Sequence, residues 1–320
     1  MSLFRQEQLI KALSDSNPEQ RQAAMMQLVD ALDQVPLASF MQSLEDSDRV
    51  VRRLAVEALE ELGEPKSVPS LIRRLADEDE QVREAAGSAL RSFRDEESAG
   101  AMILAIDDPN PAVRQGVLLG LREIKDPRAM DALLSALRDP VSEVRKEAVI
   151  TLAYLKTADA VVPLRQRLTD ADPEVRRVVV GALARFISPA LLDDFIAALD
   201  DRDWRVRAEA AIVLGRAALS GAIGALRERL ADPYWQVRKE AATALGRLFA
   251  TAATGELIQL LDSEISDLRR AAVLALGELG AVSARPALTR LIRDPDAEVR
   301  KAVQAALGRI QQVQETAKEN

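Results

Sequence analysis

The chain has 320 residues, of which 43 are basic and 51 are acidic, so its net charge is −8. Apolar residues make up 48% of it but aromatic residues only 3%, a composition that provides a sizeable helical core and excludes a disordered chain. Because cysteine and histidine are both absent, disulfides, thiolate nucleophiles, imidazole metal sites and Ser-His-Asp catalysis are excluded.

One repeat of 31 residues runs through the whole chain. Each repeat unit is marked by an arginine, and no insertion or deletion separates the ten: Arg21, Arg52, Arg83, Arg114, Arg145, Arg176, Arg207, Arg238, Arg269 and Arg300. A leucine stands seven residues after every one of them, from Leu28 to Leu307. An aspartate stands six residues before nine of them, and Ser263 replaces it in the ninth repeat. Agreement at three positions establishes tandem repeats.

Each repeat is predicted to contain two helices. In the fifth repeat, the spacing of Leu133, Leu134 and Leu137 is typical of one helical face, and a second apolar face follows the turn at Asp139. Three second helices are predicted to begin with an N-cap residue and a proline: Asn17-Pro18, Asn110-Pro111 and Asp172-Pro173. Since no linker interrupts the repeats, we predict a single domain over 1–310, followed by a polar C-terminal tail over 311–320.

The recurring pattern Asp-x-x-x-x-Val-Arg-x-x-Ala-x-x-Ala-Leu-Gly, seen from Asp232 to Gly246, resembles HEAT-like repeats of the short class found in phycobilin lyase subunits. The resemblance covers roughly residues 3 to 310. It implies an all-α fold, an α-α superhelix (HEAT-like solenoid) of ten 31-residue helix-pair repeats. We therefore expect a right-handed superhelix of about twenty helices without strands. The resemblance also implies that the second helices line the concave surface.

The Asp/Arg pair of each repeat is interpreted as structural. A catalytic pair is needed once, whereas a hydrogen bond that braces a turn is needed in every repeat. No other residues stand out as catalytic, as cofactor-binding or as metal ligands. Function is therefore expected where the repeats differ from one another.

The first difference concerns charge on the second helices. Nine residues after the arginine, the first half of the chain is mixed to acidic and the second half is mainly basic. We predict a groove that attracts anions and includes the following basic residues one or nine positions after the arginine: Arg177, Arg185, Arg216, Lys239 and Arg247. The alternative is a solvated face whose charge is balanced by Glu147, Glu209 and Glu240.

The second difference concerns the aromatic residues. Trp204 and Trp235 occupy the same repeat position, three residues before the arginine, and Tyr234 is adjacent. Identical register predicts that the two indoles lie side by side along one edge, near the turns. The cluster is a candidate binding hot spot, and the alternative is that its rings cover the seams between repeats. Tyr154, nine residues after Arg145, is predicted to extend the binding surface.

These patterns favour a non-enzymatic protein-binding scaffold or assembly chaperone that holds one partner with an acidic surface along the concave face. The alternative implied by the resemblance is a phycobilin lyase or lyase-related subunit that binds a bilin and a phycobiliprotein, so enzymatic activity stays open, although no unique Asp or Glu suggests a proton donor. The acidic total predicts no nucleic-acid binding. Without a signal-peptide pattern or a long apolar run, we expect a cytoplasmic protein without a membrane span and without a cofactor.

Overall fold

The computed structural model describes residues 3–319. Within that range the chain forms twenty α-helices, joined by turns and short 3-10 segments, and no strand. It divides after Ala160 into two compact units, which hold repeats one to five and six to ten. The prediction of an all-α chain built from helix pairs is confirmed.

In the first unit each repeat contributes a shorter and a longer helix. The first helices are α1 (Leu3–Ala12), α3 (Leu37–Ser43), α5 (Val68–Arg74), α7 (Glu96–Leu104) and α9 (Met130–Ala136). The second helices are α2 (Pro18–Val29), α4 (Arg49–Leu62), α6 (Glu80–Leu90), α8 (Pro111–Ile124) and α10 (Ser142–Leu155).

The second unit repeats this arrangement. The first helices are α11 (Val161–Gln166), α13 (Leu192–Ala198), α15 (Ile223–Glu228), α17 (Thr254–Gln259) and α19 (Arg285–Arg290). The second helices are α12 (Pro173–Leu183), α14 (Trp204–Arg216), α16 (Trp235–Arg247), α18 (Ser266–Glu278) and α20 (Ala297–Glu319). The polar segment predicted as a C-terminal tail continues α20 as far as Glu319.

Three second helices begin where their sequences predict, at Pro18, Pro111 and Pro173. The side chains of Asn17, Asn110 and Asp172 each accept a hydrogen bond from a backbone N–H of the first turn, which satisfies a donor that the helix itself cannot. Gly63 follows α4 with a φ of 62°, a left-handed conformation that glycine adopts without strain. In the core, Leu152 and Leu245 are fully buried at equivalent positions of the two units.

Most of the repeating arginines, here called the ladder arginines, join two turns. Arg114 Nη1 donates to the backbone carbonyl oxygen of Asp108, six residues earlier, at 2.9 Å. Its Nε and Nη2 donate to the carboxylate of Asp139, 25 residues later, at 2.6 and 2.9 Å. The predicted brace within a repeat is therefore made through a backbone carbonyl, and the carboxylate belongs to the next repeat. A guanidinium permits both contacts because its N–H groups point outward along separate edges of one plane.

The same two-bond pair joins consecutive repeats at several junctions within both units, whereas, among the described residues, Arg83 and Arg238 donate only to carbonyl oxygens of their own turns. The pairs are Arg21–Asp46, Arg52–Asp77, Arg114–Asp139, Arg176–Asp201, Arg207–Asp232 and Arg269–Asp294. Burial disfavours the charged form of Asp139, but the hydrogen bonds from Arg114 and from the backbone N–H of Val141 outweigh it, so the pKa of Asp139 lies below its ordinary value. The pKa values of Asp77, Asp201 and Asp232 are lowered in the same way.

The second helices of repeats seven to ten pack backbone against backbone. A Cβ atom on Gly215 of α14 would lie 2.7 Å from the Cα atom of Ala244 in α16, so only glycine permits this approach. The same contact recurs at Gly246–Ala275 and Gly277–Ala306. Gly308 holds the equivalent position in α20, and no described atom lies within 4 Å of a Cβ placed there.

We expect Asp139→Ala to lower the free energy of unfolding by about 2–4 kcal/mol, because the Arg114 guanidinium loses a largely buried partner. The exposed Asp131 of α9 is the matched control, and Asp131→Ala should change the free energy by less than about 0.5 kcal/mol. Urea denaturation followed by circular dichroism measures both. Equal effects would contradict a stabilising role for the ladder.

The ladder also makes stability depend on pH. Since the folded pKa of several aspartates lies below the unfolded value of about 3.9, their stabilisation is complete above that value and is lost as the pH falls through the folded pKa. We expect the urea midpoint to fall steadily from about pH 5 to pH 3. Asp139→Asn should make the fall shallower, and a midpoint that stays constant over this range would contradict the prediction.

The glycine contacts predict opposite effects at equivalent positions. Gly215→Ala should lower the free energy of unfolding by about 1–3 kcal/mol, because the new methyl group meets a helix backbone that cannot move aside alone. Gly308→Ala should raise it by about 0.5–1 kcal/mol, because alanine favours the helix and meets nothing. Urea denaturation of both variants provides the test, and the same sign of change in both would contradict close packing as the reason for Gly215.

Candidate partner-binding surface

The predicted site residues of repeats six to eight lie mainly on the second helices. Trp204 and Trp235 are the first residues of α14 and α16, and Arg216 and Arg247 are the last. A helix rises about 1.5 Å per residue, so each tryptophan is separated from the arginine of its own helix by about 18 Å along the axis. The sequence predicts a basic groove and an aromatic cluster in these repeats, and the structure places the aromatic residues and the exposed arginines Arg216 and Arg247 at opposite ends of the same helices.

At the aromatic end, Trp204 stacks on Tyr234. The ring centroids are 5.8 Å apart and the planes differ by 15°, a geometry typical of attractive aromatic pairs. The sequence predicts two neighbouring indoles, but the ring that stacks on Trp204 comes from the residue before Trp235. Tyr234 occupies the N-cap position of α16, outside the helix.

The stacked pair covers a seam between repeats and still exposes a surface. The guanidinium carbon of the ladder residue Arg207 lies 5.6 Å from the centre of the Tyr234 ring, while Arg207 binds Asp232 of the next repeat. Tyr234 nevertheless remains 46% exposed. The structure thus gives this ring both roles that the sequence leaves open, as a cover for a seam and as accessible aromatic area.

The predicted basic residues near the start of the second helices are balanced by carboxylates. Arg177 donates to Glu174 at 3.0 Å and lies 3.6 Å from the carboxylate of Glu209. Lys239 lies 3.0 Å from Glu240 and also stands over the Trp235 ring at 6.0 Å. At this end of the helices, the structure therefore agrees with the alternative prediction, a solvated face on which glutamates balance the basic charges.

The opposite end differs, because Arg216 and Arg247 are exposed and neither forms an ion pair with any residue in the described range. Part of their role is structural, since a cation at the end of a helix complements its dipole. Arg185 is likewise exposed, in a short 3-10 segment that follows α12. The basic surface therefore lies at the carboxyl ends of these helices.

Tyr154 belongs to the first unit and has its own surroundings. The Arg122 guanidinium carbon lies 5.8 Å and Lys125 Nζ 5.9 Å from its ring centre, within the range of cation–π contacts. Nearby, burial raises the pKa of Glu147, whose Oε2 lies 3.6 Å from Arg122 Nη1. Tyr154 thus lies in a local cluster of charged groups.

Phe249, an exposed ring two residues after Arg247, is not among the residues predicted from the sequence. The sequence does contain a signal for this residue, because the same repeat position holds Gly63 and Gly280.

Over residues 3–319, no group of acidic side chains is arranged to hold a metal ion. In the same range, no helix is long and apolar enough to cross a membrane.

Comparison with solved structures identifies similar helical repeat proteins. The karyopherin Kap121p, in its complex with the SUMO protease Ulp1p, matches with a TM-score of 0.74 and 16% identity, over all of this chain and 43% of Kap121p. Kap95p, in a structure with RanGDP, matches with a TM-score of 0.68 and 15% identity, over 97% of this chain and 50% of Kap95p. At such identities the likeness shows the fold, and this chain spans about half the length of these karyopherins or less.

Comparison of sequences gives the family. No curated protein matches the chain. The family model that describes HEAT repeats matches residues 7–91, 98–171, 161–246 and 254–318. These matches support the broader resemblance stated above and give no support to the narrower one with phycobilin lyases. Because the matched stretches together cover most of its length, the chain belongs to the HEAT repeat family.

Proposed function

We propose that this protein is a non-enzymatic binding scaffold or assembly chaperone that holds one protein partner along the second helices of repeats six to eight. The observation that carries the proposal is the pair of exposed arginines, Arg216 and Arg247, on adjacent helices whose other ends carry the aromatic residues. The repeat fold itself does not require this surface, because most other units form the same helix pair without these residues.

The size of the surface favours a protein as the partner. A ligand that touches Trp204 and Arg216 at once must extend about 18 Å along α14, further than a typical small-molecule pocket reaches. The likeness to karyopherins adds support by analogy, since Kap121p is seen bound to Ste12p and to the extreme C-terminus of the phosphatase Cdc14p. Long rows of repeats suit such extended contacts.

The charge of the surface favours an acidic partner. Glutamates balance Arg177 and Lys239, whereas Arg216 and Arg247 keep their charge available to a binding protein. An acidic surface would be attracted to this end from a distance, which raises the association rate, and the aromatic end would then lengthen the lifetime of the complex.

The same proposal includes a cytoplasmic location and no binding of nucleic acid or cofactors. No contact in the described part of the chain favours the bilin lyase alternative. Mixing the protein with phycocyanobilin tests it directly, because a bound bilin shifts its visible absorption, and such a shift would count against a purely protein-binding role.

With a partner isolated by affinity purification from the source organism, we expect Trp204→Ala combined with Trp235→Ala to weaken binding by about 2–4 kcal/mol. The loss should appear mainly in the dissociation rate, because the rings form short-range contacts. Reversal of charge by Arg216→Glu and Arg247→Glu should instead slow association, most strongly at low salt. Surface plasmon resonance measures both rates.

The matched control reverses the same number of charges on a first helix, with Arg285→Glu and Arg290→Glu in α19. It should change the association rate much less. If the double tryptophan variant and the Arg216/Arg247 variant both bind as tightly and as fast as the parent, the binding surface lies elsewhere, and repeats one to five become the region to examine.

A further inference from the structure

Phe249 combines two unfavourable features. Its φ is 51°, in the left-handed region that favours glycine, and it follows α16 as the residue at which the chain turns out of the helix. Its side chain is exposed, with 70% of the residue accessible. Glycine, lysine or alanine serves the same turn with positive φ in other repeats, at Gly63, Lys125, Lys156, Ala218 and Gly280. The fold therefore gains neither packing nor backbone freedom from a phenylalanine here.

The ring forms one wall of an open groove across repeats eight to ten. The groove encloses about 670 Å³, and its lining includes Phe249, Gly277, Glu278, Arg309, Gln312 and Val313. Val313 on α20 is 49% exposed and supplies a second apolar surface. Gly277 also lines the groove, and it packs closely against Ala306 of α20.

The charges around the groove indicate what it would bind. Arg247 stands two residues before Phe249 and Arg309 is part of the lining, and neither forms an ion pair within residues 3–319. The carboxylate of Glu278 lies across Gly246, where a Cβ atom would meet its Oε2 at 2.5 Å. It can accept a hydrogen bond from a backbone N–H of a ligand. Apolar walls with two available guanidinium groups complement an apolar side chain that has carboxylates nearby.

We propose that this groove, here called the Phe249 groove, binds a short acidic segment of a partner protein that inserts one apolar side chain between Phe249 and Val313. Carboxylates on the segment face Arg247 and Arg309. The volume lies within the usual range for ligand sites, about 300–1,000 Å³, but the groove is open along its length and so suits a peptide better than an enclosed small molecule. This site is separate from the aromatic end of α14 and α16 and recognises a linear segment rather than a folded surface.

The proposal explains why a strained, exposed phenylalanine is present. Exposed aromatic rings are frequent anchors in protein interfaces, because they bury a large area with few rotatable bonds. A residue that lowers stability locally but provides such an anchor is typical of a functional position. Phe249→Gly should therefore separate the two properties, since glycine relieves the backbone and removes the anchor.

The test uses the full chain and a displayed library of short random peptides. Peptides selected on the wild-type protein alone are labelled with fluorescein, and their affinities for the wild type and for each variant are measured by fluorescence anisotropy. We expect the selected peptides to share an apolar residue flanked by Asp or Glu. Phe249→Gly and Arg309→Glu should each weaken their binding by about tenfold or more, whereas the melting temperature of Phe249→Gly should equal or exceed that of the wild type.

Two control variants show whether peptide binding belongs to this groove. Ile292→Ala removes another exposed apolar side chain of the same repeats, outside the groove lining, and should leave peptide binding unchanged. The variant that lacks Trp204 and Trp235 should also bind the peptides normally, so failure of the function proposed above would not count as failure here.

Three outcomes would overturn the proposal. The first is a selection that yields no acidic peptides with an apolar residue, or peptides that bind Phe249→Gly as tightly as the wild type. The second is a clear fall in the melting temperature of Phe249→Gly, which would make the ring structural. The third is a wild-type protein that sediments as a dimer while Phe249→Gly is monomeric, because the occupant would then be a second copy of this chain.

Discussion

The bond between a guanidinium and the carboxylate of the following repeat is the interaction on which the rest of this structure depends. Each helix pair is too small to bury its own apolar face, so stability requires that neighbouring pairs stack in a fixed register. Arg207 shows how the register is held, since one side chain binds the carbonyl oxygen of Asp201 and the carboxylate of Asp232. A single planar group therefore ties together two turns that are far apart in sequence.

The junction between the eighth and ninth repeats lacks that bond. Ser263 stands where other repeats have aspartate, and a hydroxyl cannot accept two parallel bonds from a guanidinium. Arg238 still donates to the carbonyl oxygens of its own turn, at Asp232 and Pro233. The close contact between Gly246 and Ala275 is nevertheless kept at this junction, as at the neighbouring junctions that have the carboxylate.

Much of the fold could be predicted from the sequence, because a period of 31 residues fixes the helix pairs and their caps. The partner of each ladder arginine could not, because the intervals of six and 25 residues add up to one repeat, and both aspartates fit the pattern. The distance between the two ends of α14 could be calculated from the number of its residues. The stacking of Trp204 on Tyr234 could not be predicted, because it depends on side-chain rotamers. Phe249 was missed because glycine at its repeat position indicates a turn, whereas the exposure of the ring depends on how that turn is packed.

The glycine and alanine contacts of α14, α16, α18 and α20 have a mechanical consequence. Rows of repeats bend when side chains between neighbouring helices change rotamer and let the helices roll over one another. Where backbone meets backbone, as at Gly215 and Ala244, there is no flexible side chain to rearrange, so we expect these helices to form a stiff segment. We expect a partner that binds there to require little rearrangement of the surface, so that little conformational entropy is lost in ordering it.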